Sequence, residues 1–329
     1  MWFEGLTGFA ETSVEAVHRN LVTEGPWLRS LVNGRRWHAG RLTTPSLAEL
    51  RSSGAPRARE GETARLRVSE TVADVRALHR DPANAGALFQ VASQFNLLEM
   101  VSPEVTPEMG IDRYEADPTQ GPACAIACGA GTIWRNYFVP LGGGIGQSAD
   151  RQIDCLADLG RALGNKEEAL WRMRNGYCLA TREGLARIAR HLASLDEKAY
   201  ERLKGEIRVG IQCDTEVTLP GAGHRVTQVY CAALPVGYSH HPKTLWEPFA
   251  RLVLEAAYEA TLHVALENLR RGGGAIVYLT LLGGGAFGND ATWIVEAMAK
   301  ALERFETVPL DVRIVSYRRA NPFLRGLLR

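Results

Sequence analysis

The sequence predicts an α/β fold in which helices flank a mostly parallel or mixed sheet. Two observations predict it. Strand-like and helix-like stretches alternate along the chain, the pattern of helices laid on a sheet. Residues 275–302, AIVYLTLLGGGAFGNDATWIVEAMAKAL, also read as strand, glycine loop and helix in direct succession. The strand is a continuous apolar run, which suits burial on both faces. The helix repeats apolar residues at Ile294, Met298, Ala301, Leu302 and Phe305, a helical spacing.

The remaining elements follow in order. Within residues 27–41, Asn33-Gly34 separates two strand-like runs and predicts a tight hairpin, because both residue types tolerate positive φ. Residues 52–62 are a polar loop rich in Pro and Gly. Residues 64–69 alternate and predict a strand; residues 71–80 predict a helix that Asp81-Pro82 ends. Residues 87–93 predict a short buried strand. A long irregular segment runs from Asn96 to Pro118, and such a loop inside a compact domain is usually functional. Residues 123–130 predict a helix of small side chains opened by Pro122. Residues 148–204 read as several amphipathic helices with caps at Thr181 and Asp196. Two strands are expected over 206–219 and 225–235, a long helix over 245–269 ended by Gly272-Gly273-Gly274, and a last strand over 310–317. The chain reads as one elaborated domain, 1–329, with an N-terminal extension carrying the hairpin (1–60) and a helical insertion (148–204).

Composition bounds the function. Of 329 residues, 46% are hydrophobic and 23% charged, as in ordinary globular proteins, and the net charge of +1 offers no field for nucleic acid or an anionic membrane. Met1-Trp2-Phe3-Glu4-Gly5 lacks the basic and apolar regions of a signal peptide, and no apolar run approaches the ~20 residues of a membrane span. The 6 cysteines sit in apolar runs with no CxxC pair, which argues against zinc and predicts reduced thiols in a cytoplasmic setting; no metal and no cofactor are expected. Cys124 with His224 has no local support as a nucleophile and base, and His240-His241 reads as surface.

Two segments carry the chemistry. In the loop Gly283, Gly284, Gly285, Ala286, Phe287, Gly288, Asn289, a backbone stripped of side chains just before a helix start can bring its N–H groups to a phosphate or diphosphate. Phe287 would stack on the ligand, and Asn289 or Asp290 would cap the helix. The spacing is not that of a P-loop. GxGxxG can be read through Gly283, Gly285 and Gly288, but no following unit supplies the acidic residue of a dinucleotide fold. The second segment holds Asp112, Glu115 and Asp117, with Tyr114 and Gln120 close by. Three carboxylates before a helix start can hydrogen-bond sugar hydroxyls and stabilise a developing oxocarbenium ion, or simply be solvated. Asn96 ends a buried strand, where ligand contacts gather in open α/β sheets. Residues 142–147, GGGIGQ, are a further ligand loop or a connection into the insertion.

The loop GGGAFGND, on a strand after a long helix, resembles the second phosphate loop of macrodomains and poly-ADP-ribose glycohydrolases. FQVASQFN with its following loop and helix is similar to the family's Asn-containing strand and first ligand loop. The resemblance spans residues 60–140 and 225–317. It implies a three-layer α/β/α macrodomain-like fold with a mixed sheet, and ADP-ribose as ligand. Gly284 to Gly288 would hold the diphosphate, Phe287 would pack on a ribose or adenine, and Asn96 would approach the distal ribose. The family's Asn-Ala-Ala-Asn and Gly-Gly-Gly runs are absent after Val91, and its tandem glutamates are absent. No catalytic carboxylate therefore carries over by motif; Asp117 and Asp290 are expected first, then Asp112 and Glu115. The layout with an insertion is similar to the MavL-type ADP-ribosyl hydrolases, which implies removal of ADP-ribose from arginine, for example on ubiquitin. The alternatives are a reader that binds ADP-ribose without hydrolysis, and an enzyme processing NAD or a nucleotide sugar.

Overall fold

The computed structural model describes residues 1–54 and 65–328. The polar loop expected over 52–62 lies, beyond Gly54, outside the described residues. A mixed sheet of 7 strands runs in the order Arg41–Thr43, Gly210–Glu216, Arg225–Ala232, Leu88–Ser93, Ile276–Leu279, Asp311–Ser316, Arg67–Val72. The last five strands of that order are mutually parallel, and the first two join antiparallel at one edge. Leu88–Ser93 lies at the centre between Arg225–Ala232 and Ile276–Leu279. Leu88, Phe89, Gln90 and Val91 are all buried, as in a strand covered on both faces.

Helices close both faces. The helix Lys243–Arg270 packs on Arg225–Ala232 and Leu88–Ser93, and carries Ala291–Arg304, Arg182–Ala193 and Leu47–Ser52 against itself. Gln120–Ala127 and Gly129–Tyr137 pack on Leu88–Ser93 and Gly210–Glu216, with Val75–Arg80 beside them. This is the expected three-layer α/β/α arrangement. The long helix buries Glu255 and Glu259, which meet Lys204, Arg51 and Lys300 at 3.2 Å or less. Removing one partner from such a buried pair costs about 3–5 kcal/mol, because a charge is left stranded.

Several boundaries move. The strand expected over 64–69 is Arg67–Val72, and the helix expected over 71–80 is only Val75–Arg80. β-branched Thr71 and Val72 continue the ladder against Val315 and Ser316, and the Asp74 carboxylate caps the helix by accepting from the Arg76 N–H. The Asn33-Gly34 hairpin joins Trp27–Ser30 to Arg36–His38, but its connection is wider than a two-residue turn and only Gly34 takes positive φ. Asn33 instead donates to the Leu6 carbonyl at 2.9 Å, tying the hairpin to the helix Trp2–Thr7.

The insertion is not all helix. Besides Ala157–Leu163, Arg182–Ala193 and Glu197–Lys204, it contains an antiparallel hairpin, Trp171–Arg174 with Tyr177–Ala180. Asn175 (φ 46°) and Gly176 (φ 79°) form its two-residue turn. A second, smaller core joins the N-terminal extension to the long loop. Phe3, Leu6, Val17, Leu28 and Trp37 pack with Leu98, Met100, Ile111 and Tyr114.

Candidate active site

The parallel strands deliver three loops to one edge of the sheet: residues 94–119 after Leu88–Ser93, residues 233–242 after Arg225–Ala232, and residues 280–290 after Ile276–Leu279. Open α/β sheets bind ligands at this edge.

The glycines of the third loop divide by what they meet. Gly283 (φ 70°) and Gly288 (φ 68°) are conformationally required, and a Cβ on Gly283 would lie 2.5 Å from the Asn289 amide nitrogen. Gly285 has ordinary φ and open space within 4 Å. Neither sterics nor backbone conformation demands a glycine there. Gly284, Gly285 and Ala286 are exposed. Among the described residues, the N–H groups of Gly285, Ala286 and Phe287 donate to no other backbone group. Asn289 is a brace: its side chain donates to the Leu234 carbonyl at 2.8 Å and its N–H to Gly283 at 2.9 Å. Asp290 caps Ala291–Arg304, accepting from the Thr292 N–H at 3.0 Å. The Thr292 bonds, with Lys243 beside them, hold its carboxyl below the usual carboxylate range. Phe287 packs 5.3 Å from Tyr177 and 5.5 Å from Tyr238, and the Tyr177 hydroxyl donates to Met100 at 2.6 Å. An aromatic trio thus links the glycine loop to the hairpin and to the first loop.

The first loop is built by side chains. Asn96 is 0% exposed; it accepts from the Leu98 N–H and donates to Gln152 at 2.8 Å. Gln120 bridges helix to sheet, donating to the Gln90 carbonyl and accepting from the Ala92 N–H, each at 2.9 Å. Sequence reasoning set both amides against the ligand; in the structure both hydrogen-bond within the fold. Asp112 and Glu115 reach the N-terminal segment. They accept from the N–H groups of Phe3 (3.2 Å) and Trp2 (3.0 Å), capping the N-terminal helix and anchoring the acidic loop to it. Asp117 is separate from them, half-buried, and accepts from the Thr119 N–H at 2.9 Å.

The structure adds a residue that sequence reasoning missed. Glu99 is 4% exposed, and its Oε1 is sealed with no hydrogen-bond partner. Its carboxyl lies against the start of Gln120–Ala127: a Cβ on Gly121 would come within 2.4 Å of Oε2. Burial pushes this carboxyl well above the usual range; Arg135 opposes the shift and Asp117 adds to it. Glu99 is thus a buried carboxyl group on the loop that leaves the carboxyl end of Leu88–Ser93. The signal in the sequence was a lone carboxylate inside the apolar run Leu97-Leu98-Glu99-Met100-Val101.

A cavity of about 420 Å³ lies between Glu104 and Thr106 of the long loop, residues 149–154 and the hairpin turn. No residue of 283–290 lines it. Among the described residues, no cluster of three or more His, Cys, Asp or Glu is placed to hold a metal ion. None of their helices is long and apolar enough to cross a membrane.

No protein-family model matches the chain, and no curated protein matches it in sequence. Solved structures with a similar arrangement include poly(ADP-ribose) glycohydrolase from Thermomonospora curvata, at 16% identity over 95% of this chain and 94% of that one, TM-score 0.45. The Deinococcus radiodurans glycohydrolase in complex with ADP-ribose gives 15% identity over 87% and 93%, TM-score 0.46. The Thermomonospora curvata enzyme bound to the inhibitor ADP-HPD gives 15% over 94% and 91%, TM-score 0.43. Likeness this distant leaves the chemistry to be argued from this chain's own residues.

Proposed function

We propose that this chain is a glycohydrolase that binds ADP-ribose and releases it from a modified protein side chain. The observation that carries the reading is Glu99, a buried carboxyl group whose proton burial favours, at the same sheet edge as a bared glycine loop. The N–H groups of Gly285, Ala286 and Phe287 grip the diphosphate, and the start of Ala291–Arg304 adds its dipole. Phe287 and Tyr238 form an apolar wall for a ribose or adenine. Glu99 donates its proton to the leaving side chain as the glycosidic bond breaks. Asp117 faces the positive charge that develops on the sugar and orients the attacking water. A protonated carboxyl and a neighbouring carboxylate divide these two tasks in glycoside hydrolysis generally. Asp290 sits at the end of the glycine loop, where it fixes the helix start. Asn96, Gln120, Asp112 and Glu115 shape the first loop, and Asn289 shapes the third.

Arginine, on a protein such as ubiquitin, is the acceptor that the resemblance to MavL-type hydrolases implies; nucleic acid and membrane are not partners in this reading, and the setting is cytoplasmic. Isothermal titration with free ADP-ribose, paired with release of ADP-ribose from an arginine-modified protein, tests it. One-to-one binding with release is expected. Absence of affinity for ADP-ribose defeats the reading, and binding without release reduces the protein to a reader. Release of nicotinamide from NAD would favour the NAD-processing alternative.

A further inference from the structure

The cavity of about 420 Å³ beside the hairpin turn takes no part in the chemistry described so far. Its volume is that of a small-ligand site, for which about 300–1,000 Å³ is usual. Hydrogen bonds tie it to the ligand edge on two sides. Gln152, in its wall, accepts from Asn96 at 2.8 Å, just past the end of Leu88–Ser93. Asn175, also in its wall, donates to the Pro103 carbonyl at 2.6 Å, and Tyr177, two residues on, packs against Phe287 of the glycine loop. The side-chain amides of this wall are committed: Gln152 Nε2 donates to Asn175 Oδ1 at 2.8 Å, and Asn175 Nδ2 is held by Pro103. Arg174, the cation among the lining residues, is paired with Glu104 at 3.7 Å. The remaining carboxylates are not paired. Among the described residues, neither Asp150 nor Asp154 makes a salt bridge, and the Asp150 side chain makes no hydrogen bond. Asp154 accepts from the Leu156 N–H at 2.8 Å, which fixes its carboxylate in the wall.

We propose that this cavity is a subsite for a cationic side chain, arginine or lysine, of the protein that carries the ADP-ribose. This names part of the substrate in the reading given above and rests on it. A wall with spent amides and open carboxylates selects a ligand that brings donors and positive charge. Met173 and Ile153 line the same space and offer apolar surface to the methylene stem, while Asp150 and Asp154 meet the charged head. A cation there also relieves Asp154, whose carboxyl is pushed up by burial and further by the Asp158 charge. The hairpin Trp171–Arg174 with Tyr177–Ala180 thus serves two sites at once, with Tyr177 against the glycine loop and Asn175 in the cavity.

The test reads the cavity directly, apart from any hydrolysis. In the full chain labelled with ¹³C-methyl methionine, the Met173 signal is assigned by its loss in Met173→Leu. Nα-acetylarginine amide, Nα-acetyllysine amide and the neutral Nα-acetylcitrulline amide are then added in separate titrations. A cationic compound should shift Met173 saturably, and citrulline should need at least about 10-fold more, since a close opposite charge is worth about that factor. The tighter of the two cations names the side chain. Asp154→Asn, which keeps an oxygen for the Leu156 N–H, should weaken the cation by about 10-fold. Asp150→Asn, at an exposed position, should weaken it by about 2- to 5-fold. A Met173 signal unmoved by either cation, or moved equally by citrulline, overturns the proposal. Should Asp154→Asn not fold, Asp150→Asn decides, and an unchanged half-saturation there overturns the proposal equally. If Met173 responds as expected while ADP-ribose is neither bound nor released, the cation site stands and the glycohydrolase reading falls. If ADP-ribose is released from a modified protein while Met173 stays unmoved by the cations, the subsite falls and the glycohydrolase reading stands.

Discussion

The first and third loops meet at one sheet edge but are built by opposite means. Residues 280–290 are shaped by what they lack: Gly283 and Gly288 let the backbone turn, and Gly285 leaves it bare. Residues 94–119 are shaped by what they carry: the buried Gln94 and Asn96 amides accept from the Met100 and Leu98 N–H groups, and Glu99 is buried on the same loop. The difference teaches that a binding surface can be written in missing side chains, and so be read along the chain. A proton donor depends on its surroundings, and those are assembled from distant segments.

The sharpest way to break the comparison is Glu99→Gln. It should keep ADP-ribose affinity, which belongs to the third loop, while release from a modified protein falls by about 10²–10⁴-fold, the usual contribution of a general acid. Joint loss of binding and turnover would merge the two loops' roles. Within the third loop, Gly288→Ala should destabilise the fold by about 1–3 kcal/mol, since its φ of 68° strains any side chain, measured by urea unfolding. Gly285→Ala should change stability by less than about 0.5 kcal/mol and act on ADP-ribose binding alone. In the first loop, Asp112→Asn should cost about 0.5–2 kcal/mol as a lost helix cap and leave turnover within a few-fold of wild type.

The smallest expected effect is on pH dependence. The folded protein holds the Glu99 proton above its unfolded value, so the native state binds more protons than the unfolded one between those two values. Stability therefore falls as pH rises through that window. Glu99→Gln should match wild type in stability below the unfolded value and exceed it at neutral pH. A constant gap across pH would show that Glu99 does not titrate in this way.

The sheet was legible because its inner strands are apolar on both faces, as at residues 87–93 and 275–282. The glycine loop was legible because its three consecutive glycines stand between such a strand and an amphipathic helix. The hairpin at Asn175-Gly176 carries the same turn signal as Asn33-Gly34, but flanking helical periodicity hid it. Asp112 and Glu115 looked like a site because nothing local reveals that their partners are backbone N–H groups 109 and 113 residues away. Glu99 was passed over for the converse reason. Its neighbours Gly121 and Tyr114 approach only in the folded chain.

The central claim is that bare amides of the third loop grip a diphosphate. The backbone ¹H–¹⁵N spectrum of the full chain, followed while ADP-ribose is added, tests it most directly. The account predicts saturable shifts at Gly285, Ala286 and Phe287, and none at those amides when ribose is added alone. ADP-ribose that leaves those three resonances in place would contradict it.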